Sequence, residues 1–516
     1  MIRREIIKII QKATGLPWEE IKIGHPEVAS FGDYSSNVAL RLKKPAVEIV
    51  GKLKSDLFEK IEVAGPGFIN FFISPKYLQK QVAEILKQGE KFGQLKIGKN
   101  QKVNVEFISA NPTGPLTLGN GRGGFCGDVL ANILEKAGHK VSREYYINDR
   151  GEQVVKLGHS VLADEQAVYK GKYIDDLRQR ISGKTPEDVG EKAAGIILKE
   201  MIKPAVKKMG IKFDVWFSEK SLYKESEIKQ VLDYLKKKNL LYEKDRAFWF
   251  KSTQFGDDKD RVLVKEDGEE TYFLSDIAYL NNKFHRGFNR LIFFWGADHY
   301  GYIARLKAAA EALGFGKEKL VIIIMQLVQL FQEGKEVRMS KRTGAYVTLD
   351  ELIDEAGLDV SRFFFLTRSP GSHLNFDLDL AKEQSEKNPV YYVQYAHARI
   401  CSILQKSTHL NNFAMTGLLR HESELNLIKQ LIRLPEIIDD TARDYQVQRL
   451  PQYAMDLAAA FHQFYRDCKV LRPSSEPQSN SEVEGLQKAR LTLVSAAKIV
   501  LKNTLDLMGI SAPEKM

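Results

Sequence analysis

The chain has 516 residues, of which 43% are hydrophobic and 28% are charged, values typical of folded globular proteins that exclude a disordered or fibrous chain. Its length is too great for a single compact core and predicts about three or four domains. The 77 Lys and Arg residues exceed the 67 Asp and Glu residues by 10, an excess that suits a polyanionic partner without requiring one.

The chain shows no pattern of a membrane or export segment. The longest apolar run, residues 320–331, is interrupted by Gln326 and Gln329 and is shorter than the roughly 20 residues that span a bilayer. The first twenty residues mix basic and acidic side chains and lack the apolar core of a secretory signal. The three cysteines include no CxxC pair, which excludes a disulfide framework and a cysteine-rich zinc site. We therefore expect a cytoplasmic protein without a metal site of its own.

Residues 1–92 predict a small α+β domain. A helical pattern at the start of the chain precedes short strands that end in IEVAGPGFINFFIS, residues 61–74. Within that segment, Gly65-Pro66-Gly67 has the composition of a turn. The lysine-rich residues 87–99 predict the end of a helix and a linker.

The next segment predicts a βαβ unit. The strand-like KVNVEF (102–107) is followed by a glycine-rich turn (114–124), a helix that ends at Gly138, and the strand-like VSREYYI (141–147). Consecutive strands joined through a helix are parallel, and parallel sheets bind ligands at the carboxyl ends of their strands.

The rest of the chain predicts an insertion, further strands and a helical bundle. Residues 150–270 are polar and helical in pattern, with a β-hairpin expected to turn at Asp267-Gly268. The apolar, β-branched runs at 291–301 and 319–331 predict central parallel strands. Beyond residue 380 the pattern is amphipathic helix. We expect an α/β fold with three domains: 1–92, 100–380 (with an insertion at about 150–270) and 385–516.

Two segments are candidates for chemistry. ANPTGPLTLGNGRGG (110–124) lies between a strand and a helix, where backbone N–H groups and the helix dipole favour a phosphate, although such glycines also serve close packing. KEVRMSKRTGAYVT (335–348) carries the cations Lys335, Arg338, Lys341 and Arg342, and taken alone this segment favours a solvated surface loop over a binding site.

Together the two segments resemble the paired signatures of class I aminoacyl-tRNA synthetases, and the whole chain resembles the arginyl-tRNA synthetase family. Collinear matches run from end to end: FGDYSSN (31–37), PGFINF (66–71), EFISANPTGP (106–115), REYYINDRGEQ (143–153), GDDKDRV (256–262), TYFLSDIAY (271–279), FFWGADHYGY (293–302), FDLDLAKEQSEKNPVYYVQYAHARI (376–400) and GISAPEKM (509–516). The resemblance implies a Rossmann-like catalytic core, an N-terminal domain that contacts tRNA and an all-α C-terminal domain that binds the anticodon. It implies arginine, tRNA(Arg) and ATP as substrates, with Mg²⁺ carried on the ATP phosphates.

The resemblance also implies the residues that handle ATP. The two histidines of the first signature are replaced here by Thr117 and Asn120, which are still hydrogen-bond donors, and the first lysine of the second signature is replaced by Arg338. The candidate catalytic residues are Thr117, Gly119, Asn120, Arg338, Met339, Ser340 and Lys341. Candidate ATP contacts are Pro115, Thr117, Gly119, Asn120, Asp298 and Lys341, although Asp298 is placed equally well to cap the following helix. The reaction needs no protein nucleophile, so these groups are expected to position ATP and stabilise charge.

A guanidinium substrate requires carboxylates and planar or hydroxyl partners. Glu106 ends the first predicted core strand, and Tyr272 and Asp276 share one face of a predicted helix. The resemblance adds Ser109, Asn111 and His299 to this arginine site. The alternatives are an internal ion pair for Glu106, a surface pair for Tyr272 and Asp276, and a buried core position for His299.

For tRNA binding the resemblance indicates Asn37 in the N-terminal domain and the helical domain as the anticodon reader. Tyr391, Tyr392 and Tyr395 have rings that can stack on unpaired bases, but tyrosines on an amphipathic helix also serve as core. We expect a monomer. Two other functions remain open: a ligase that adenylates another compound without tRNA, and a catalytically silent tRNA-binding relative, suggested by Thr117 and Asn120.

Overall fold

The computed structural model of the chain describes residues 1–224, 226–337, 347–407, 416–471 and 481–516. It confirms the predicted fold class: a parallel sheet in the core, an N-terminal part with antiparallel strands and a helical C-terminal part. The N-terminal elements are α1 (Ile2–Thr14), β1 (Tyr34–Ser36), α2 (Val38–Leu42), α3 (Ala46–Val50), β2 (Phe58–Ala64), β3 (Phe68–Ile73) and α4 (Pro75–Gln88). Strands β1 and β2 both pair antiparallel with β3, and the predicted turn at 65–67 joins β2 to β3.

The central part alternates strands and helices. Its elements are β4 (Lys102–Glu106), α5 (Leu118–Lys136), β5 (Lys140–Ile147), α6 (Glu152–Leu162), α7 (Lys172–Arg180), α8 (Pro186–Ile197), α9 (Lys203–Lys208), β6 (Val215–Ser218), α10 (Glu219–Lys224), α11 (Glu227–Lys237), β7 (Leu241–Lys244), β8 (Ala247–Phe250), β9 (Arg261–Val264), α12 (Tyr272–His285), β10 (Arg290–Gly296), α13 (Ile303–Ala312), β11 (Leu320–Met325), β12 (Val328–Gln332), β13 (Lys335–Val337), α14 (Leu349–Ala356), α15 (Leu358–Leu366), β14 (Leu374–Asp377) and α16 (Leu378–Lys382). The five parallel strands have the order β11-β10-β4-β5-β6, so their carboxyl ends lie at one edge.

The apolar run 319–331 was predicted as one central strand, and this is wrong. The structure divides it into β11, which lies at the margin of the parallel sheet, and β12, which joins a second sheet with β13 and β14. The division comes at Gln326, whose N–H donates to the Pro370 carbonyl at 3.0 Å and whose carbonyl accepts from Arg122 Nη1 at 2.9 Å. Apolar content alone does not distinguish a strand that continues from one that bends away to other partners.

The hairpin predicted at Asp267-Gly268 forms, but its second arm is short. The Gly268 N–H donates to the Lys265 carbonyl at 3.0 Å, the Lys265 N–H donates to the Glu269 carbonyl at 2.8 Å, and the Thr271 N–H donates to the Leu263 carbonyl at 2.9 Å. Val264 and Glu270 form an antiparallel bridge across the turn, and on its other side β9 pairs with β8. The segment after the turn becomes α12 because its apolar residues recur at helical spacing and bury one face of the helix.

The C-terminal part is a bundle of five helices within the described residues. They are α17 (Pro389–Gln405), α18 (Glu422–Leu431), α19 (Leu434–Asp444), α20 (Arg449–Asp467) and α21 (Ser481–Met508). None of the helices described in the chain is both long enough and apolar enough to cross a membrane.

Helix α5 is fixed against the sheet by residues without side chains. A Cβ atom at Gly127 would lie 2.3 Å from Cγ of Phe107, and one at Gly121 would lie 2.5 Å from a methyl carbon of Leu349. Neither distance leaves room for alanine, so close approach of α5 to the end of β4 and to α14 requires glycine. This contact sets the position of the amino terminus of α5 at the carboxyl edge of the sheet.

Arg362 joins three parts of the chain. Its fully buried guanidinium donates to the Met508 carbonyl at 2.8 Å, to the Met209 carbonyl at 2.7 Å and to the Asp128 carboxylate. The partners lie at the end of α21, after α9 and in α5. A single side chain therefore links the C-terminal bundle to the core.

We predict that Arg362→Met lowers the free energy of unfolding by about 3 kcal/mol, because it leaves buried acceptors without their donor. Urea unfolding followed by circular dichroism measures the change. The control is Lys192→Ala, which removes a pair with Asp188 between side chains that are 50% and 49% exposed and should lower stability by less than about 1 kcal/mol. Equal losses in the two variants would contradict a role for Arg362 in joining the parts.

Candidate active site

Three acidic side chains, Glu106, Glu219 and Asp276, lie near one another at the carboxyl edge of the parallel sheet beside α12, and we call this group the acidic pocket. Tyr272, Asp276, Tyr279 and Lys283 are spaced four, three and four residues apart and so share one face of α12. Exposure falls along this face, from 57% at Tyr272 to 5% at Tyr279 and 0% at Lys283. This face of α12 therefore has an exposed end at Tyr272, which we call the mouth of the acidic pocket, and a buried end at Tyr279 and Lys283.

Glu106, at the end of β4, is buried and bound from two sides. Its Oε2 accepts from Lys283 Nζ at 2.6 Å and from the Tyr279 hydroxyl at 2.7 Å. Its Oε1 accepts from Ser109 Oγ at 3.3 Å, and Ser109 Oγ in turn accepts from the backbone N–H of Tyr146 at 3.0 Å. The internal ion pair considered from the sequence is thus present, but it occupies one carboxylate oxygen and leaves the other beside Ser109.

Asp276 and Glu219 form no ion pair with any residue that the structure describes. Asp276 accepts a hydrogen bond from the Tyr302 hydroxyl. Burial raises the pKa of Asp276 to about 7, with a further contribution from the charge of Glu106, and outweighs the opposing effects of Tyr302 and Arg305. Glu219, the first residue of α10 directly after β6, is 4% exposed, and burial together with the charge of Asp276 raises its pKa to about 7. The pocket therefore has unpaired acidic groups that a cationic ligand would match.

The other predicted arginine contacts lie at the rim. The Tyr272 hydroxyl accepts from the backbone N–H of Glu152 at 2.8 Å, and Asn111 Oδ1 accepts from Asn148 Nδ2 at 2.7 Å. The structure thus places Tyr272 next to the start of α6 and Asn111 next to the end of β5.

His299 and Asp298 follow the end of β10. His299 Nε2 lies 3.5 Å from Asp298 Oδ2, and their side chains are 58% and 80% exposed. The alternative of a buried core histidine is therefore wrong. Tyr302, not Asp298, is the N-cap residue of α13, so Asp298 does not cap that helix.

The amino terminus of α5 is closed by a capping box. The Thr117 N–H donates to Asn120 Oδ1 at 3.0 Å, the Thr117 hydroxyl donates to the same atom at 2.9 Å, and the Asn120 N–H approaches Thr117 Oγ1 at 3.5 Å. These bonds occupy the amide oxygen of Asn120 and the hydrogen of Thr117. Among described residues, Asn120 Nδ2 has no acceptor, so it is available to a ligand. Gly119 is exposed beside it, and Pro115 is partly exposed on the approach.

Arg338, Met339, Ser340 and Lys341 lie outside the described residues. The chain is described again from residue 347, where it lies against the start of α5. Thr348 forms an antiparallel bridge with Thr117, and the Leu349 N–H donates to the Leu116 carbonyl at 3.0 Å. The cationic segment therefore ends beside the helix terminus that carries the other signature.

The polar network under Glu106 was not predicted from the sequence. Glu144 is fully buried in β5, where Arg286 donates to both of its oxygens at 2.8 Å. Burial is outweighed by the charges of Lys283 and Arg286, which lower the pKa of Glu144 to about 2. A carboxylate inside the aromatic strand EYYI, and Tyr279, Lys283 and Arg286 at helical spacing, were the available signals.

The tyrosines of α17 form a partly exposed aromatic column. The Tyr391 and Tyr395 rings are nearly parallel with centroids 6.3 Å apart, and the His462 ring packs on Tyr392 at 4.9 Å. The Arg399 guanidinium lies 4.9 Å from the Tyr395 ring centroid. These rings are neither fully buried nor fully free.

Asn37 is exposed in the N-terminal part, at the rim of a cavity of about 620 Å³. Three apolar side chains that line the cavity are unusually open to solvent, with exposures of 51% for Val28, 52% for Phe31 and 42% for Phe68. An amide beside open apolar surface is a combination suited to a flat, polar-edged ring.

Comparisons with known proteins agree along the chain. Family models match as the arginyl tRNA synthetase N terminal domain (residues 1–73), the catalytic domain of tRNA synthetases class I (R) (81–179 and 179–363) and the DALR anticodon binding domain (393–516).

The arginine–tRNA ligases of Carboxydothermus hydrogenoformans and Geobacillus kaustophilus are 44% and 45% identical to this chain, and each alignment covers 95% of this chain and 93% of the relative. The structure of Thermus thermophilus arginyl-tRNA synthetase has a similar fold, with a TM-score of 0.79 at 22% identity and 100% of both chains covered.

We predict that Asp276→Asn stabilises the folded chain more at pH 8 than at pH 5. The pKa of Asp276 is about 7 in the folded chain and is expected near 3.9 when unfolded. The folded state therefore binds more protons between these values, so this carboxyl lowers stability as pH rises from about 4 to 7. Unfolding midpoints at the two pH values, compared with wild type, measure the effect.

The control is Asp257→Asn. At Asp257, burial is outweighed by hydrogen bonds from Arg261, which hold the pKa below its usual range. This variant should lose stability by the same amount at pH 5 and pH 8, since the carboxyl is charged at both. A gain for Asp276→Asn that does not change with pH would contradict the assignment.

Proposed function

The chain belongs to the arginine–tRNA ligase family of class I aminoacyl-tRNA synthetases, and on that premise we propose which of its residues carry out the reaction. The enzyme joins L-arginine to tRNA with ATP. The arginine carboxylate attacks the α-phosphorus of ATP and releases pyrophosphate, and a ribose hydroxyl at the tRNA end then attacks the mixed anhydride and releases AMP. Both steps depend on positioning and on stabilisation of developing charge.

The observation that supports the arginine site is the convergence of Glu106 and the unpaired Asp276 at one end of the sheet. In our proposal, Asp276 supplies the charge that matches the guanidinium and Glu106 Oε1 accepts one of its N–H groups. Tyr272 covers the pocket mouth, and Ser109, Asn111 and His299 complete the site. Lysine and citrulline would leave these carboxylates unpaired or paired with the wrong geometry. The resulting difference in binding free energy would provide selectivity without a further step.

For ATP, we assign the donor role to Asn120 Nδ2 and to the backbone N–H groups near Gly119. The Thr117 hydroxyl is used inside the capping box, so Thr117 orients Asn120 rather than the phosphates. Pro115 lies along the nucleotide, and Asp298 is placed to accept hydrogen bonds from the ribose. Mg²⁺ carried by the ATP substrate would neutralise charge on its phosphate oxygens.

For tRNA, we propose that Asn37 and the apolar cavity beside it hold a base, and that Tyr391, Tyr392 and Tyr395 stack on anticodon bases. Arg399 beside this column suits a polyanion. The division 1–92, 100–380 and 385–516 then gives one tRNA-contacting part, one catalytic part with its insertion at about 150–270, and one anticodon-binding part. We further propose that the enzyme is cytoplasmic and acts as a monomer. Light scattering of the purified chain measures its molar mass and so tests the monomeric state.

A silent relative is the second candidate function, since Thr117 and Asn120 replace two histidines. Asn120 Nδ2 has no acceptor among the described residues, which argues for a working variant because one side-chain donor remains at the start of α5. Replacing both residues by histidine (Thr117→His with Asn120→His) should leave the rate of tRNA charging unchanged or lower it. A large gain would show that this chain is a compromised catalyst.

We predict that Asp276→Ala weakens use of arginine far more than use of ATP. Loss of the charged partner of a buried guanidinium typically costs roughly 3 to 5 kcal/mol. Charging of tRNA(Arg), with arginine and ATP varied in turn, gives kcat/KM for each substrate. Equal losses for both would mean that the pocket is wrongly assigned, and no charging by the wild-type chain despite tight tRNA binding would favour the silent relative.

We predict that Lys341→Ala slows adenylate formation by more than about tenfold, or roughly 1.4 kcal/mol, with little change in tRNA affinity. Its charge is needed mainly as pyrophosphate leaves, and an interaction made only in the transition state changes rate rather than binding. The control is Lys335→Ala in the same cationic segment, which should change the rate less than twofold. Rapid-quench measurement with tRNA present compares the two, and similar small losses would make Lys341 one solvated cation among several.

A further inference from the structure

Lys283 and Tyr279 hold the same oxygen of Glu106 and point at it from beneath the pocket. Both are on α12, and both hydrogen bonds, at 2.6 and 2.7 Å, are to Oε2. A carboxylate fixed through one oxygen by two donors cannot rotate about its Cγ–Cδ bond without breaking both. The orientation of Oε1, the oxygen beside Ser109, is therefore set by groups that lie on the far side of Glu106 from the pocket mouth.

The two side chains are anchored in turn by the rest of the network. Lys283 is 0% exposed, and its Nζ also donates to Asn104 Oδ1 at 2.6 Å and lies 3.6 Å from Glu144 Oε1. The Tyr279 hydroxyl lies 2.7 Å from the same Glu144 oxygen. Arg286 and Asn104 hold Glu144 by hydrogen bonds of 2.8 Å. Lys283 thus has further partners that fix the direction of its Nζ, and the single hydrogen of the Tyr279 hydroxyl is shared between Glu106 Oε2 and Glu144 Oε1.

The charges in this network balance without substrate. Lys283 and Arg286 are two cations, and Glu106 and Glu144 are two carboxylates. Lys283 therefore removes the net charge of Glu106, and Asp276 supplies the charge that attracts a guanidinium. What Glu106 contributes is a fixed acceptor, so its direction matters more than its charge.

We propose that Lys283 and Tyr279 are positioning residues for arginine: they lock Oε2 of Glu106 so that Oε1 accepts from the substrate guanidinium. This rests on the proposed function, which assigns Glu106 to arginine. The side chains themselves do not touch the substrate. Their removal acts on arginine through Glu106 and leaves the nucleotide end of the site, at α5, as it was.

The test is Tyr279→Phe, which removes one hydroxyl and no charge. With saturating tRNA and ATP, the KM for arginine should rise about tenfold while kcat and the KM for ATP change less than twofold. Lys283→Met should raise the arginine KM further. An arginine KM that is unchanged in Tyr279→Phe, or lowered in Lys283→Met, would overturn the proposal, because the lysine would then only compete with substrate for Glu106.

A double-mutant cycle with Glu106→Gln separates this proposal from the one it rests on. If Tyr279 acts through Glu106, Tyr279→Phe should change the arginine KM less than twofold in the Glu106→Gln background. An equal effect in both backgrounds overturns the positioning role and leaves the assignment of Glu106 intact. An unchanged arginine KM in Glu106→Gln alone overturns the assignment of Glu106 itself, and the positioning role with it.

Tyr453→Phe is the matched control for loss of a buried tyrosine hydroxyl. Tyr453 is 2% exposed in the C-terminal bundle, and its hydroxyl donates to the Gln430 carbonyl at 3.0 Å. This variant should lose thermal stability comparably to Tyr279→Phe but keep the arginine KM of wild type. A rise in arginine KM there would show that such losses follow from weakened folding, and would overturn the proposal. If Lys283→Met does not fold, the Tyr279→Phe cycle still decides.

Discussion

This active site depends on one constraint, the burial of carboxylates at the carboxyl edge of the parallel sheet. A buried carboxylate needs a cation and hydrogen-bond donors, or its charged form becomes costly. Glu144 and Glu106 meet that need with Lys283 and Arg286. Asp276 and Glu219 have no ion-pair partner among the described residues, and burial raises the pKa of both to about 7. These buried carboxyl groups therefore lack a cation, which the guanidinium of the substrate would supply.

The same edge of the sheet also has a region of positive electrostatic potential, at the amino terminus of α5. The amino terminus of α5 offers backbone N–H groups and the positive end of a helix dipole, which suit phosphates. Glycine at positions 121 and 127 lets α5 approach α14 and the end of β4 closely enough to hold that terminus in place. One edge can thus serve a cationic side chain and a polyanionic nucleotide because its strands end in an acidic pocket while its first helix begins beside it.

Buried polar contacts also tie the outer parts of the chain to one another and to this core. Arg362 connects α15 to the end of α21 and to α5. Glu436 of α19 accepts from the Arg3 N–H at 3.0 Å and the Tyr34 hydroxyl at 3.1 Å, which joins the N-terminal part to the bundle. Such contacts are rigid because breaking them leaves buried charge unpaired. The parts that we propose to grip tRNA are therefore firmly connected to the part that we propose to carry out the chemistry.

The sequence by itself determined the fold class, the order of the parts and the family, because strand runs, helical periodicity and collinear motifs are local in the chain. It also located Glu106, Asp276, Thr117 and Asn120 as candidates. It did not reveal that Asn120 and Thr117 bond to each other, that Lys283 and Tyr279 lie beneath Glu106, or that the run 319–331 divides between two sheets. Only the tertiary structure decided these, since most depend on partners distant in the chain, such as Lys283 and Glu106, which are separated by 177 positions. The sequence shows which residues are polar, and the tertiary structure determines which of these polar residues are buried next to one another.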